Sequence, residues 1–167
     1  MISKGNIMSK SLLNVVIIAK MNTSLRFINT LESIINQDYS PINIVVADAN
    51  EEDSDYSYGL QEDLSAYPDI EYIKLDHSYS TSKIRNMLLD KLDGEYIAFL
   101  SANDTWDLSA VRKALNHFEE NPEINAVCMN GILIDERKAR ISEEQLIDIE
   151  EARDLPGWLV NNPAKMS

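Results

Sequence analysis

Short apolar runs alternate along this chain with segments whose apolar residues recur every three or four positions. The first run covers residues 12–19, and the second covers residues 42–48, which are rich in β-branched side chains. Such runs are typical of strands that are covered on both faces. The segment between them has apolar residues at helical spacing: Phe27, Ile28, Leu31, Ile34 and Ile35. Strands alternating with amphipathic helices indicate parallel strands joined by helical crossovers, which is an α/β fold.

The same alternation continues along the chain. Apolar runs bounded by turn residues predict further strands at residues 70–75, 96–100 and 124–129. Amphipathic spacing predicts further helices around residues 58–66, 81–92 and 108–118. Five strand tips are therefore expected along one edge of the sheet. Polar residues can cap two of these helices: Thr23 or Ser24 the first, and Ser80 or Thr81 the helix over residues 81–92.

Beyond residue 130 the pattern becomes weaker. After residues 132–135 the clearest segment is residues 142–153, which are expected to form an acidic surface helix. No tract rich in Gly, Ser or Pro separates two parts that could pack independently. Residues 1–167 are therefore expected to form a single domain.

The composition fits one domain and limits its partners. The chain has 167 residues, of which 44% are hydrophobic, and its formal net charge is −13. This charge repels the phosphates of nucleic acids and anionic lipids over a Debye length of about 10 Å. Nucleic acid is therefore not an expected partner, and a polyanionic ligand would need local cations or a metal ion.

The cysteine content and the first residues bear on the cellular compartment. Cys128 is the only cysteine and has apolar neighbours, which favours a buried thiol in a reducing compartment. Lys4 and Lys10 precede an apolar run, as in a secretory signal, but residues 12–19 are too few to cross a membrane. We therefore expect a cytoplasmic protein without a transmembrane segment.

Polar residues follow the strand predicted at residues 96–100. Ser101, Asn103 and Asp104 come directly after it, at the end of the strand where α/β folds place their ligands. With the preceding residues they form the sequence GEYIAFLSAND at residues 94–104. This sequence resembles GEYIAFLDxDD, a phrase of the family 2 glycosyltransferases with the GT-A fold.

Other phrases resemble the same family in the same order. They are VVIIAKMN at residues 15–22, similar to VIIPTYN; LESIINQDY at residues 31–39, similar to LxSILxQTY; IVVADAN at residues 44–50, similar to IIVVDDGS; and Arg85-Asn86, similar to the end of ARN. Each phrase alone is weak evidence, but the ordered set is strong and covers residues 12–135.

The resemblance implies a three-layer GT-A fold, the Rossmann-like fold of nucleotide-diphospho-sugar transferases, with a mostly parallel sheet flanked by helices. Residues 12–135 would form the nucleotide-binding core. Residues 136–167 would form the start of the acceptor-side region or a helical tail, so the C-terminal part of the fold would be incomplete. The family's catalytic base typically lies further along, and no residue of this chain matches it.

The resemblance also implies which residues form the site. The nucleotide-sugar-binding positions are Ala19, Lys20, Asn22, Asp48, Lys83, Arg85, Ser101 and Ala102, and the metal-binding positions are Asn103 and Asp104. Ser101 and Asn103 stand where the family has carboxylates, so Mg²⁺ or Mn²⁺ would be a weakly held cofactor. Lys20, Lys83 and Arg85 are candidates to compensate, the latter two near a predicted helix start that favours phosphate.

The activity implied is inverting transfer of a sugar from a nucleoside-diphosphate sugar to a glycan hydroxyl, in bacterial surface polysaccharide synthesis. The expected location is cytoplasmic, or peripheral at the inner face of the membrane. The expected partners are the donor, the glycan acceptor, and a companion glycosyltransferase or a second copy of the chain. The alternative is a degenerate, non-catalytic relative that acts as a partner or regulatory subunit, because acids are absent at Ala49, Ser101 and Asn103.

Structural roles are open for the same residues. Arg85 can pair with an acid such as Asp48, Lys20 can be a solvated loop residue, and Asp104 can cap the helix that begins near Leu108. The remaining aromatic and histidine candidates lack a clear ligand partner. Trp106 and Trp158 are expected to pack in the core, and His77 and His117 to lie at the surface.

Overall fold

Four parallel strands form the central sheet, which confirms the predicted α/β class. In chain order they are β1 (Leu13–Ala19), β2 (Ile42–Asp48), β3 (Glu71–Lys74) and β4 (Tyr96–Ser101). Their order across the sheet is β3-β2-β1-β4. The computed structural model describes residues 12–20, 26–127, 129, 131–134 and 140–144.

Helices connect the strands as the apolar spacing predicts. They are α1 (Phe27–Ile35), α2 (Asp55–Leu64), α3 (Thr81–Lys91) and α4 (Ala110–Glu120). Ser80 caps α3, since its side chain accepts a hydrogen bond from the amide of Lys83 at 3.2 Å. The predicted caps Thr23 and Ser24 lie outside the described residues, and α1 follows Arg26 without a side-chain cap.

The sheet is covered on both faces. On one face, Val16 and Val45 pack with Ile84 and Leu88 of α3 in one buried cluster. Neighbouring strand residues point to the other face, where Ser57 of α2 donates to Asp48 of β2 at 2.7 Å. The chain therefore has the three-layer arrangement of a GT-A fold.

Gly94 sets the turn that leads into β4. Its φ is +147°, a conformation that L side chains rarely adopt, and a Cβ atom here would lie 2.4 Å from Nδ2 of Asn14. That amide donates to the carbonyl of Asp93 at 2.6 Å, while Oδ1 of Asn14 accepts from Asn43 at 2.9 Å. A buried asparagine thus holds the amino ends of β1, β2 and β4 together.

The strand predicted at residues 124–129 is wrong, because residues 124–127 have no regular structure. Within the part of the chain that the structure describes, the sheet therefore presents four parallel strand tips, not five. An apolar run becomes a strand only where a neighbouring strand pairs with it, and residues 124–127 pair with none of the described strands. The next strand pairing along the chain is an antiparallel hairpin. Its strands are β5 (Gly131–Ile134) and β6 (Arg140–Glu144).

The hairpin also corrects the acidic helix predicted at residues 142–153. Residues 142–144 belong to β6, and the remainder of that segment lies outside the described residues. By compactness the chain divides into two units, Met1–Leu115 and Asn116–Ser167, and the single domain of residues 1–167 stays a prediction. None of the helices in the described ranges is long and apolar enough to span a membrane.

Candidate functional site

The order of the strands reverses at β1, which lies between β2 and β4. Ile18 of β1 is in register with Ser101 of β4, and Ala19 is in register with Asp48 of β2. In open α/β sheets, ligands bind outside the carboxyl ends of the strands at such a reversal. We call this place the β1–β4 edge and define it by residues 19–20 and 101–104. It brings together Ala19, Lys20, Ser101 and Ala102 of the predicted site.

A tight turn follows β4 at this edge. The amide of Asp104 donates to the carbonyl of Ser101 at 3.1 Å. Ala102 is buried beneath the turn, while Ser101, Asn103 and Asp104 are exposed. Although Asp104 lies at the surface, protein atoms displace water around its carboxyl group and raise its pKa above the ordinary value. Asp104 does not cap α4, where Asp107 accepts from the amide of Ser109 at 3.1 Å.

Polar side chains of α1 hold the segment after β4 by its backbone. Thr30 donates to the carbonyl of Ala102 at 2.9 Å, and Ser33 accepts from the amide of Trp106 at 3.1 Å. Gln37, just beyond the helix, donates to the carbonyl of Asp107 at 2.7 Å and accepts from the amide of Val111 at 3.0 Å. The spacing of three and four residues places these side chains on one side of the helix.

The sequence reasoning missed this set of contacts. The available signal was a row of polar residues within the otherwise apolar pattern of α1. Trp106 is half-buried, whereas His77 and His117 are exposed as expected. Trp158 lies outside the described residues.

Asp48 is the centre of a buried polar network at the tip of β2. Its Oδ1 atom accepts from the backbone and side-chain amides of Asn50 at 2.9 and 2.8 Å. Its Oδ2 atom accepts from Ser57 and Tyr72, each at 2.7 Å, and from Lys74 at 3.0 Å. The side chain of Asp48 is 0% exposed. Both oxygens are therefore occupied by protein donors.

The charge of Asp48 is stable despite its burial. Desolvation would raise the pKa of the carboxyl group, but the hydrogen bonds from Ser57, Asn50, Tyr72 and Lys74 outweigh it and lower the pKa. The contact between the two side chains acts in the opposite direction on Tyr72, whose pKa is raised by burial and by its bond to Asp48. The ion-pair partner of Asp48 is thus Lys74, not Arg85.

Three predicted cations lie on the α3 face of the sheet. The ammonium group of Lys20 donates to the carbonyl of Tyr79. The ammonium group of Lys83 lies over the ring of Tyr79, 3.4 Å from its centroid. The guanidinium group of Arg85 lies over the ring of Phe99, 5.7 Å from its centroid. Lys20 is therefore not simply a solvated loop residue.

Two predicted positions differ from the rest. Asn22 lies outside the described residues, so its role stays a prediction. Ala49, which stands where the resembling family has an acid, is buried, and its amide donates to the carbonyl of Ala19 at 2.9 Å. This bond ties the tips of β1 and β2 together.

The sequence pattern of glycosyl transferase family 2 matches residues 15–161 of this chain. The match covers most of the chain and includes β2, β3, β4 and β1 from Val15 onward. The chain belongs to glycosyl transferase family 2. No curated protein sequence matches it significantly.

Solved structures of glycosyltransferases share the fold of this family 2 chain. TarS 1–349 of S. aureus in complex with UDP-GlcNAc has a TM-score of 0.55 and 20% identity, with 66% of this chain and 32% of that chain covered. The mannosyltransferase PcManGT of Pyrobaculum calidifontis, in complex with GDP-Man and Mn²⁺, has a TM-score of 0.53 and 17% identity, with 66% and 33% covered. The chain thus spans about a third of the length of these proteins.

The residues of this family 2 chain do not fit the metal site that the resemblance implies. The turn after β4 offers the hydroxyl of Ser101, the amide of Asn103 and one carboxylate, that of Asp104. Hard divalent cations prefer ionised oxygen ligands, and this turn supplies only one carboxylate beside a hydroxyl and an amide. Among the described residues, no group of three or more His, Cys, Asp or Glu is arranged to hold a metal ion.

Proposed function

We propose that this chain binds a nucleoside-diphosphate sugar at the β1–β4 edge, as the donor-binding part of a glycosyltransferase. The observation that carries the proposal is the reversal of strand order at β1, which juxtaposes Lys20 with the turn after Ser101 in a chain of this family. Relatives in fold have been solved with UDP-GlcNAc and with GDP-Man, so both classes of donor are candidates.

The geometry supports distinct roles for the residues of the edge. Ala19 and Ala102 are buried and have small side chains, so they form the floor beneath a ligand, while the exposed hydroxyl of Ser101 can bond to it. Lys20 is suited to the phosphates, and Arg85 to the base or the phosphates. The occupied carboxylate of Asp48 supports a positioning role for that residue, because it fixes the tip of β2 beside the donor.

In the proposed reaction a glycan hydroxyl attacks the anomeric carbon of the donor with inversion. The new bond joins the hydroxyl oxygen to that carbon, the bond from the carbon to the diphosphate breaks, and the hydroxyl proton passes to a general base. We assign no residue of this chain as that base. The proposed setting is bacterial surface polysaccharide synthesis in the cytoplasm or at the inner face of the membrane.

A second candidate function is a non-catalytic partner subunit. It is favoured by the replacement of acids at Ala49, Ser101 and Asn103 and by the engagement of both oxygens of Asp48. The partner would be a companion glycosyltransferase or a second copy of this chain.

Isothermal titration with UDP-GlcNAc, GDP-Man and UDP, in EDTA and in Mn²⁺, tests donor binding. We expect saturable binding of at least one nucleotide. Ser101→Trp, at the β1–β4 edge, should abolish it by filling the space outside the strand. Ser65→Trp is the matched control, because exposed Ser65 follows α2 at the opposite end of the sheet.

The outcomes separate the two candidate functions. Loss of binding in Ser101→Trp with retention in Ser65→Trp supports the proposed site. Absence of binding with every nucleotide, in either buffer, rejects donor binding and leaves the partner subunit. Sedimentation of the chain alone then measures whether the partner is a second copy.

A further inference from the structure

Several cations of the described region form ion pairs, and others contact neutral groups. Lys74, Lys91, Arg112 and Lys113 each pair with a carboxylate, at distances between 2.6 and 3.6 Å. Three other cations of the described residues have no carboxylate within ion-pair distance. They are Lys20, Lys83 and Arg85. Although the chain has 28 acidic and 15 basic residues, these three cations are therefore not neutralised by a carboxylate of the described region.

Two of the unpaired cations meet on one residue. Lys20 contacts the carbonyl of Tyr79, and Lys83 contacts its ring. The pKa of Asp76 is lowered chiefly by hydrogen bonds donated by Ser78, and the charge of Lys83 contributes only a smaller, long-range effect. Two ammonium groups held on the same residue repel each other, and an anion placed between them removes that repulsion. We call Lys20, Tyr79 and Lys83 the Tyr79 cluster.

The Tyr79 cluster lies at the β1–β4 edge. Lys20 directly follows β1, and Tyr79 packs on the buried cluster that contains Val16 and Ala49. Arg85 lies nearer to β4, because its guanidinium group is over the ring of Phe99. Phe99 is two residues before Ser101 and on the same face of β4. The unpaired positive charge is thus concentrated where the donor diphosphate is proposed to bind.

We propose that the Tyr79 cluster binds the diphosphate of the donor directly and replaces the divalent cation. This inference rests on the proposed donor binding. Two observations support it together: the oxygen atoms of the turn after β4 do not fit a divalent cation, and the ammonium groups of Lys20, at the tip of β1, and Lys83 both contact Tyr79. Tyr79 acts as a positioning residue, because its carbonyl and its ring each hold one ammonium group in place.

The test measures the binding of UDP and of inorganic pyrophosphate by titration calorimetry, in EDTA and again in Mn²⁺. The variants are Lys20→Gln and Lys83→Gln, with Lys91→Gln as the matched control on the same helix α3, where it pairs with Glu71. Tyr79→Phe retains the ring and the carbonyl, whereas Tyr79→Leu removes the ring. Thermal unfolding of each variant verifies that it folds.

We expect binding in EDTA that Mn²⁺ does not strengthen. Each of Lys20→Gln and Lys83→Gln should weaken binding about tenfold or more, as for the loss of a charge-assisted hydrogen bond. Lys91→Gln and Tyr79→Phe should leave the affinity within about twofold, a change of less than half a kcal/mol by the same conversion. Tyr79→Leu should weaken binding although it leaves both lysines present.

Other outcomes overturn the inference or the proposed function separately. UDP binding that requires Mn²⁺ and is lost in Asp104→Ala overturns the inference and keeps donor binding. Equal losses in Lys83→Gln and Lys91→Gln also overturn it, because they indicate a general effect of charge. Pyrophosphate binding in EDTA without any nucleotide binding keeps the Tyr79 cluster as a phosphate site and rejects the donor. Absence of binding to both probes overturns both proposals.

Discussion

Replacing Asp48 with asparagine tests whether the buried network at the tip of β2 needs a charge. The substitution keeps the size of the side chain but puts an amide group where a carboxylate oxygen was. On the Oδ1 side the amide would face two N–H donors of Asn50, and on the Oδ2 side it would face the ammonium group of Lys74. Neither orientation leaves every donor satisfied.

The structure indicates a large cost. Asp48 is fully buried, and Lys74 is 29% exposed, so the remaining ammonium group keeps only part of its hydration. Removing one partner of a buried ion pair typically costs about 3–5 kcal/mol. For a chain of this length, each kcal/mol lowers the melting temperature by about 2–4 °C. We expect Asp48→Asn to melt roughly 10 °C below the wild type.

Urea unfolding followed by circular dichroism measures this cost, and a double-mutant cycle assigns it. Lys74→Met removes the cation from the same pair. If the pair is responsible, Lys74→Met should cost much less in the Asp48→Asn background than in the wild type. A cost below about 1 kcal/mol for Asp48→Asn, or additive effects in the cycle, would refute this reasoning.

Three further predictions follow from single contacts. The folded-state pKa of Asp48 is lowered. Its contribution to the free energy of unfolding is therefore complete above the unfolded pKa of about 4 and is lost as pH falls through the lower folded value. In acid unfolding, the stabilities of wild type and Asp48→Asn should converge. The pKa of Asp104 is raised, so Asp104→Asn should raise the melting temperature slightly at pH 7 and not at pH 3; an unchanged difference contradicts this. Gly94→Ala should cost about 2–4 kcal/mol in urea, through strain and the displaced amide of Asn14. Gly59→Ala, in open space within α2, should instead raise the free energy of unfolding by about 0.5–1 kcal/mol. Equal effects of the two substitutions would contradict the predicted backbone strain at Gly94.

Local patterns in the sequence were sufficient for most of the sheet. The runs that became β1, β2 and β4 are nearly continuous in apolar residues, and such runs define strands even without knowledge of their neighbours. Ser80 was predicted as a cap because capping depends on atoms only three residues apart. The start of α2 at Asp55 was missed because its cap, Ser54, lies within an acidic stretch that resembles a loop.

Features that depend on distant partners were harder to predict. The apolar run at residues 124–127 did not pair, and nothing within the run itself shows this. For Asp48, the sequence offered Arg85 as a partner, but the register of β2 with β3 places Lys74 opposite Asp48. A parallel sheet brings neighbouring strand tips together, and that rule could have favoured Lys74. The convergence of Lys20 and Lys83 on Tyr79 depends on the path of the chain before α3.

The grip of α1 on the segment after β4 uses only main-chain atoms of that segment. Thr30, Ser33 and Gln37 bond to carbonyls and amides, so these contacts do not depend on the exposed side chains of Ser101, Asn103 and Asp104. Substitutions at these exposed positions therefore leave the hydrogen bonds to α1 in place. Ser101 and Asn103 lie on a loop whose backbone is held by α1. Replacing both residues with aspartate should therefore be enough to create Mn²⁺ affinity without changing the rest of the fold.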